Sequence, residues 1–131
     1  MRHAIGLGKD KQSLTRNDLG WQIYPEGLYK IISRVWKCYG KPIIITENGI
    51  ADRNDRYRPQ FIIDHVDQVM RAKNDGTDVR GYFHWSLLDN FEWDKGYWPR
   101  FGLYEVDRAS LKRTARPSAQ TYANIIKQHS S

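Results

Sequence analysis

The chain has 131 residues, 40% of them hydrophobic, with 21 Lys and Arg against 15 Asp and Glu and a formal net charge of +6. These totals fit one modest soluble domain or a piece of one, and they exclude collagen, low-complexity disorder and a disulfide scaffold. Cys38 is the only cysteine, so no internal disulfide forms, and it reads as a buried or half-buried thiol in a reducing compartment. The polar opening MRHAIGLGKDKQSLTRNDLG lacks the apolar run of a signal peptide, and no later stretch approaches the roughly 18 apolar residues of a membrane span. A cytoplasmic location with no membrane partner is the expectation. The basic residues are scattered through the chain, so they read as solvated surface and not as a nucleic-acid site.

After residues 1–18, a polar lead, the pattern from Trp21 to Tyr39 predicts a helix: Pro25 suits a first turn, and Leu28, Ile31, Ile32, Val35 and Tyr39 recur at three- and four-residue spacing. Gly40 stops it. The β-branched run Pro42-Ile43-Ile44-Ile45-Thr46 predicts a strand buried on both faces of a parallel sheet, ending at Glu47-Asn48-Gly49. Ala51 to Tyr57 reads as a charged loop. A second helix from Pro59 carries Phe61, Ile62, His65, Val66, Val69 and Met70 on one face and ends at Asn74-Asp75-Gly76. Val79 to Trp85 predicts a second strand, followed by a long loop up to Pro99 and Arg100. Phe101 to Val106 reads as a short extended piece outside the main sheet, and Arg116-Pro117-Ser118 opens a last helix with Ala119, Tyr122, Ile125 and Ile126 on one face.

Helix, strand, helix, strand, helix is the grammar of an α/β fold with parallel strands. Two strands cannot close a barrel, which needs eight strands and typically about 250 residues, so the sheet edges must pair with something else.

Two clusters carry chemistry. Glu47 follows an apolar strand and precedes a glycine that permits a sharp turn, which would project its carboxylate at the strand's C-terminal end, where barrel active sites lie. By position alone it could equally be a polar residue closing a strand. Trp85-Ser86-Leu87-Leu88-Asp89-Asn90-Phe91-Glu92-Trp93 also begins where a strand ends. A pyranose packs its C–H faces on aromatic rings and offers hydroxyls to carboxylates and indole N–H groups, so Trp beside Glu suits a sugar site. A hydrophobic loop over a barrel end with Glu92 solvated fits the composition as well.

Taken together, Ile45-Thr46-Glu47-Asn48-Gly49 and Trp85 through Trp93 resemble, in order and spacing, the C-terminal signatures of family 1 glycoside hydrolases of the β-glucosidase and β-galactosidase type. The resemblance also takes in Leu19-Gly20-Trp21, Tyr24 to Tyr29, Asp78 to Tyr82, Arg100 to Leu103 and Arg116 to Ala119. Gly49-Ile50-Ala51-Asp52, Tyr57-Arg58-Pro59 and His84-Trp85-Ser86 look most like archaeal members. The fold it implies is the C-terminal part of a (β/α)8 barrel, about two barrel strands and three helices, over residues 19–131. It implies that Glu47 is the catalytic nucleophile and that Trp85 stacks on the non-reducing sugar. It further implies that Glu92 binds the sugar's O4 and O6 hydroxyls, that Trp93 donates its indole N–H and that Phe101 lines the same pocket. Glu92-Trp93 looks unlike the phospho-glycosidase branch, which points to a neutral hexoside.

No cofactor or metal is implied. His65 reads as a satisfied residue on an apolar helix face, and His3, His84 and His129 have no metal-ligand spacing. Asp52, Asp55, Asp64 and Asp67 read as solvated, and Gly6 and Gly8 do not make a phosphate loop.

Retaining hydrolysis uses two carboxyl groups about 5–5.5 Å apart, and this sequence offers one. In the family the acid/base lies in an Asn-Glu-Pro motif that does not occur here; Tyr24-Pro25-Glu26 has the wrong order, and Glu105 has no assigned role. The chain is therefore expected to be the last quarter or third of an enzyme, a split half or a truncated relic. It would act on a β-glucoside or β-galactoside only with an N-terminal β-glycosidase segment. The alternative expectation is a non-catalytic fragment that self-associates, covering its open sheet edges in a homo-oligomer with at most weak sugar binding.

Overall fold

The computed structural model describes residues 15–129, so the first 14 residues of the polar lead lie outside the described residues. Helix α1 runs from Pro25 to Tyr39, four residues later than the periodicity predicts. The reason is local. Asn17 Oδ1 accepts the amides of Leu19 and Trp21, Arg16 bridges to Gln22, and Pro25 disfavours a helical conformation at Tyr24. Gly40 closes α1 in the left-handed conformation and donates its amide to Trp36 O.

Strand β1 spans Ile43–Gly49, so Glu47 lies within the strand rather than after it. Helix α2 (Arg58–Asn74) returns the chain to β2 (Val79–Trp85), which pairs parallel with β1 from Ile43 opposite Val79 to Gly49 opposite Trp85. Beyond β2, a single 3₁₀ turn covers Trp93–Lys95. β3 (Tyr104–Val106) and β4 (Arg113–Ala115) then form a separate antiparallel pair, and α3 spans Pro117–His129. The extended piece near Phe101 was legible, but its partner strand β4 was not. Its three residues are all exposed and carry no apolar alternation; Asp107 Oδ1 defines the intervening turn by accepting the Ser110 amide and hydroxyl.

The three helices lie on one side of the β1–β2 sheet, with α2 packed against both α1 and α3. One core joins Ile32 of α1, Val69 and Ala72 of α2 and Val79 of β2, with Ile43 and Ile45 packed on it; the other joins Ile50, Phe61, Ile62, Val66 and Leu103 to Ala119, Tyr122 and Ile125 of α3. Full burial of each aliphatic side chain contributes about 1.5–3 kcal/mol. The opposite face is open: Ile44 is 55% and Phe83 59% exposed, and a Cβ on Gly81 would meet both side chains. The expectation of a strand buried on both faces is thus corrected, because the helices of this chain cover only one.

Three smaller readings also change. Cys38 is exposed, because it lies on the side of α1 turned away from the Ile32 contact. Asp52 is buried and Asp55 nearly so, where solvation was expected. The cause is Arg58, whose fully buried guanidinium pairs with Asp55 and donates to Asp52 O at 2.5 Å and Arg100 O at 2.8 Å. Asp52 Oδ2 in turn accepts the Tyr57 and Arg58 amides at the start of α2, and Asp55 Oδ2 accepts the Ser118 amide at the start of α3. His65 matches its expectation, buried with Nδ1 2.7 Å from Phe61 O.

Candidate active site

The C-terminal ends of the two parallel strands set the site. Gly49 lies against Trp85 so closely that a Cβ would fall 1.8 Å from Trp85 O, which is why only glycine fits there. Asn48, beside Glu47, has its Oδ1 held by the Tyr82 hydroxyl at 2.8 Å; burial, reinforced by Tyr122, pushes the Tyr82 hydroxyl up from its ordinary pKa, keeping it a donor. Trp85 closes β2, and the Trp85–Ser86 peptide is cis.

The following loop is laced back onto this end of the sheet. Ser86 N donates to Phe101 O, Leu103 N to Ser86 O, and Tyr104 N to Leu87 O, so Phe101 is carried beside Trp85 by a short backbone ladder. Trp21 approaches Phe101 with ring centroids 6.4 Å apart. Glu92 and Trp93 stand on a tight turn fixed by Glu92 N donating to Gly96 O at 2.7 Å. As a result Glu47, Trp85, Glu92, Trp93 and Phe101, the five residues expected from the sequence, line one open depression of about 380 Å³ together with Trp21, Asn48 and Gly49. Phe101 is buried in its wall, Glu92 is half-buried, and Trp93 is largely exposed.

Sequence reasoning left Trp21 and Asn48 out of the site. Trp21 sits in a polar stretch without periodicity, and only the turn between Arg16 and Gln22 swings it over the strand ends. Asn48 is adjacent to Glu47, but nothing in the sequence pairs it with Tyr82, 34 positions away.

Behind the loop lies Asp89, whose buried carboxylate accepts Arg116 Nη1 and Nη2 at 3.1 and 3.0 Å, the Gly102 amide at 2.9 Å, and longer contacts from Arg100 and Val106. Burial, the largest influence, raises its pKa. The Arg116 hydrogen bonds, the Gly102 amide and the charges of Arg116 and Arg100 together outweigh burial and hold the carboxyl below its ordinary range. The carboxylate therefore ties the far limb of the loop, which carries Phe101, to the near limb, which carries Trp85. On the helix side, burial together with the charges of Arg58 and His65 lowers His84 to about 3, so its imidazole is neutral at physiological pH. Among the described residues no group of His, Cys, Asp and Glu could hold a metal ion, and no helix is long and apolar enough to cross a membrane.

Two parallel strands joined by a crossover helix, with a carboxylate among aromatic rings at their C-terminal ends, are the arrangement of a (β/α)8 barrel segment. The model of glycosyl hydrolase family 1 matches residues 2–131, and the chain belongs to that family. The match begins within the polar opening. The chain is 47% identical to a β-galactosidase of Sulfolobus acidocaldarius over 98% of its own length and 25% of the relative's, and 49% identical to a β-galactosidase of Saccharolobus solfataricus over 95% and 24%. The crystal structure of a hyperthermophilic β-glucosidase from Pyrococcus furiosus superposes with a TM-score of 0.87 at 47% identity, over 90% of this chain and 25% of that one. The chain thus spans about a quarter of the length of these relatives, and the fold is the C-terminal part of the barrel.

Proposed function

We propose that this chain is the nucleophile-bearing portion of a retaining β-glycosidase, which hydrolyses terminal non-reducing β-glucosides or β-galactosides when an N-terminal portion supplies the acid/base. The observation that supports this most directly is the single depression at the strand ends in which Glu47 meets Trp85, Glu92, Trp93 and Phe101. Trp85 and Phe101 offer ring surface to the sugar's C–H faces, while Glu92 and the Trp93 indole offer an acceptor and a donor to its hydroxyls.

In this reading a Glu47 oxygen attacks the anomeric carbon as the glycosidic C–O bond breaks. The departing oxygen takes a proton from the acid of the N-terminal portion. Water, deprotonated by the same group, then attacks the anomeric carbon of the glycosyl ester and releases Glu47, so two inversions restore the β configuration. The depression itself is open, and a retaining site needs a second carboxyl within about 5–5.5 Å of the nucleophile, which fits completion by another segment.

The test is hydrolysis of a chromogenic β-glucoside by the 131-residue chain alone and mixed with a family 1 N-terminal segment bearing the Asn-Glu-Pro motif. Activity is expected only in the mixture, and Glu47→Gln should lower it by at least about four orders of magnitude. Activity surviving that substitution, or absent from a mixture that does assemble, would overturn the reading. The exposed Ile44 and Phe83 also suit a second reading, in which copies of the chain cover one another without catalysis.

A further inference from the structure

Side chains along a strand alternate between its two faces, so an uninterrupted strand keeps every second residue on one face. In β1, Ile43 and Ile45 pack into the core under the helices, while Ile44 between them stands on the open face. Unbroken alternation from Ile45 would carry Glu47 to the helix face and Asn48 to the open one. The structure has the reverse. Thr46 and Glu47 are both exposed in succession, and Asn48 is half-buried with its Oδ1 on the hydroxyl of Tyr82, a residue packed against the helix-side core.

The cause is one extra residue in β1. Ile45 pairs with Tyr82 and Asn48 with His84, three steps along β1 against two along β2, so Thr46 and Glu47 together face Phe83. This is a β-bulge, rare between parallel strands, and such insertions re-aim side chains beside active sites. A slip of one residue sends the side chains that follow to the other face. Here it turns Glu47 away from the helices and into the depression that it shares with Trp85.

Tyr82 spans the insertion. Its backbone pairs with Ile45 before the bulge, and its hydroxyl donates to Asn48 Oδ1 at 2.8 Å after it. Tyr82 is itself held from α3, where the Tyr122 hydroxyl donates to Tyr82 O at 3.1 Å and the two rings meet edge to face with centroids 6.3 Å apart. Beyond Asn48 the strands close at once, Gly49 lying opposite Trp85 with no room for a Cβ.

We infer that Tyr82 is a positioning residue for the nucleophile: its hydroxyl, by holding Asn48, locks the bulge at Thr46 and Glu47 and so fixes the Glu47 carboxylate on the sugar-facing side of the sheet. This rests on the reading given under Proposed function. Tyr82 does not line the depression; it acts through Asn48 and the backbone beside it. Without the hydroxyl, the extra residue is free to shift along β1, and a misplacement of about 1 Å in a reacting group costs about a hundredfold in rate.

The test is Tyr82→Phe, which keeps the packed ring and removes only the hydroxyl. In the 131-residue chain mixed with the family 1 N-terminal segment, kcat for a chromogenic β-glucoside should fall about tenfold to a hundredfold, with KM changed by less than about twofold. A residue that only stabilised the fold would lower the urea midpoint and leave the kcat of the assembled enzyme unchanged. With Asn48→Ala already in place the hydroxyl has nothing to hold, so adding Tyr82→Phe should then change kcat by less than about twofold. An unchanged kcat, a change confined to KM, or an undiminished effect in the Asn48→Ala background would overturn the inference. The 131-residue chain by itself gives a second readout. In Tyr82→Phe the backbone amide signals of Thr46 to Asn48 should show microsecond-to-millisecond exchange broadening, while those of Ile44 and Ile45 keep their wild-type relaxation. If the wild-type mixture assembles without turnover, the functional reading fails and this readout decides the lock: broadening confined to Thr46 to Asn48 upholds it, and unchanged or uniform relaxation overturns it.

Discussion

Replacing Asp89 by Asn tests whether one buried carboxylate organises the sugar-side loop. The amide keeps the shape and one acceptor oxygen, which can still take the Gly102 amide at 2.9 Å. It loses the charge and turns a donor toward Arg116, a residue only 8% exposed whose Nη1 and Nη2 both donate to this carboxylate. Removing one partner of a buried ion pair costs about 3–5 kcal/mol, and the surviving Gly102 contact places the expected loss near the lower end, about 3 kcal/mol. Against a total of about 5–15 kcal/mol for a domain, that should lower the urea midpoint by about 1–3 M at ordinary slopes, followed through tryptophan fluorescence and circular dichroism. Arg116→Met in the same background removes the stranded cation, so the double variant should lose less than the sum of the single losses by more than about 1 kcal/mol. The pH dependence has a definite sign. A carboxyl held below its ordinary value of 3.8 stabilises fully above that value and loses its contribution as pH falls through the folded-state pKa. The deficit of Asp89→Asn should therefore be present at neutral pH and shrink only below pH 3.8. A single-variant loss under about 1 kcal/mol, or strict additivity with Arg116→Met, would refute the clamp.

Gly49→Ala places a methyl group 1.8 Å from Trp85 O; the strands must part, and urea unfolding should show a loss of about 3 kcal/mol with faster amide exchange at the ends of β1 and β2. His84→Phe should flatten the acid limb of stability. With the folded imidazole lowered to about 3, the unfolded chain binds the extra proton between about pH 6 and 3, so the wild-type chain loses up to about 1.4 kcal/mol per pH unit there. An acid limb of unchanged slope in the variant would remove His84 as its cause. In the complemented enzyme, Glu92→Gln should raise KM for a β-glucoside about tenfold to a hundredfold through loss of charged hydrogen bonds, and unchanged preference among glucosides, galactosides and fucosides would count against its contact with the sugar.

Much of the fold was legible because it follows local periodicity. The ridge of Leu28 and Ile32, the run Ile43 to Ile45, the face of Phe61, Ile62 and Val66, and the last helix from Pro117 each carry enough apolar pattern to declare their type. The five residues expected from the sequence fall in one depression because Glu47 lies near the end of β1, Trp85 closes β2, and Glu92, Trp93 and Phe101 lie in the loop that follows. Where pattern was absent, the reading stopped: β4 has no apolar alternation, and Trp21 belongs to a turn built by Asn17. Polar residues proved harder still. Asp52 and Asp55 look like surface acids until Arg58 is placed between them, and Asp89 is one acid among several until Arg116, 27 positions later, meets it.

The sequence alone thus determined the order of the three helices and two parallel strands, the family resemblance and the residues at the strand ends, because these depend on neighbours a few positions apart. Only the tertiary structure decided which acids are buried, how the loop is tied to the sheet, and that the helices leave one face of the β1–β2 sheet open. Those properties depend on contacts between residues tens of positions apart, and on solvent exclusion that arises when the layers pack.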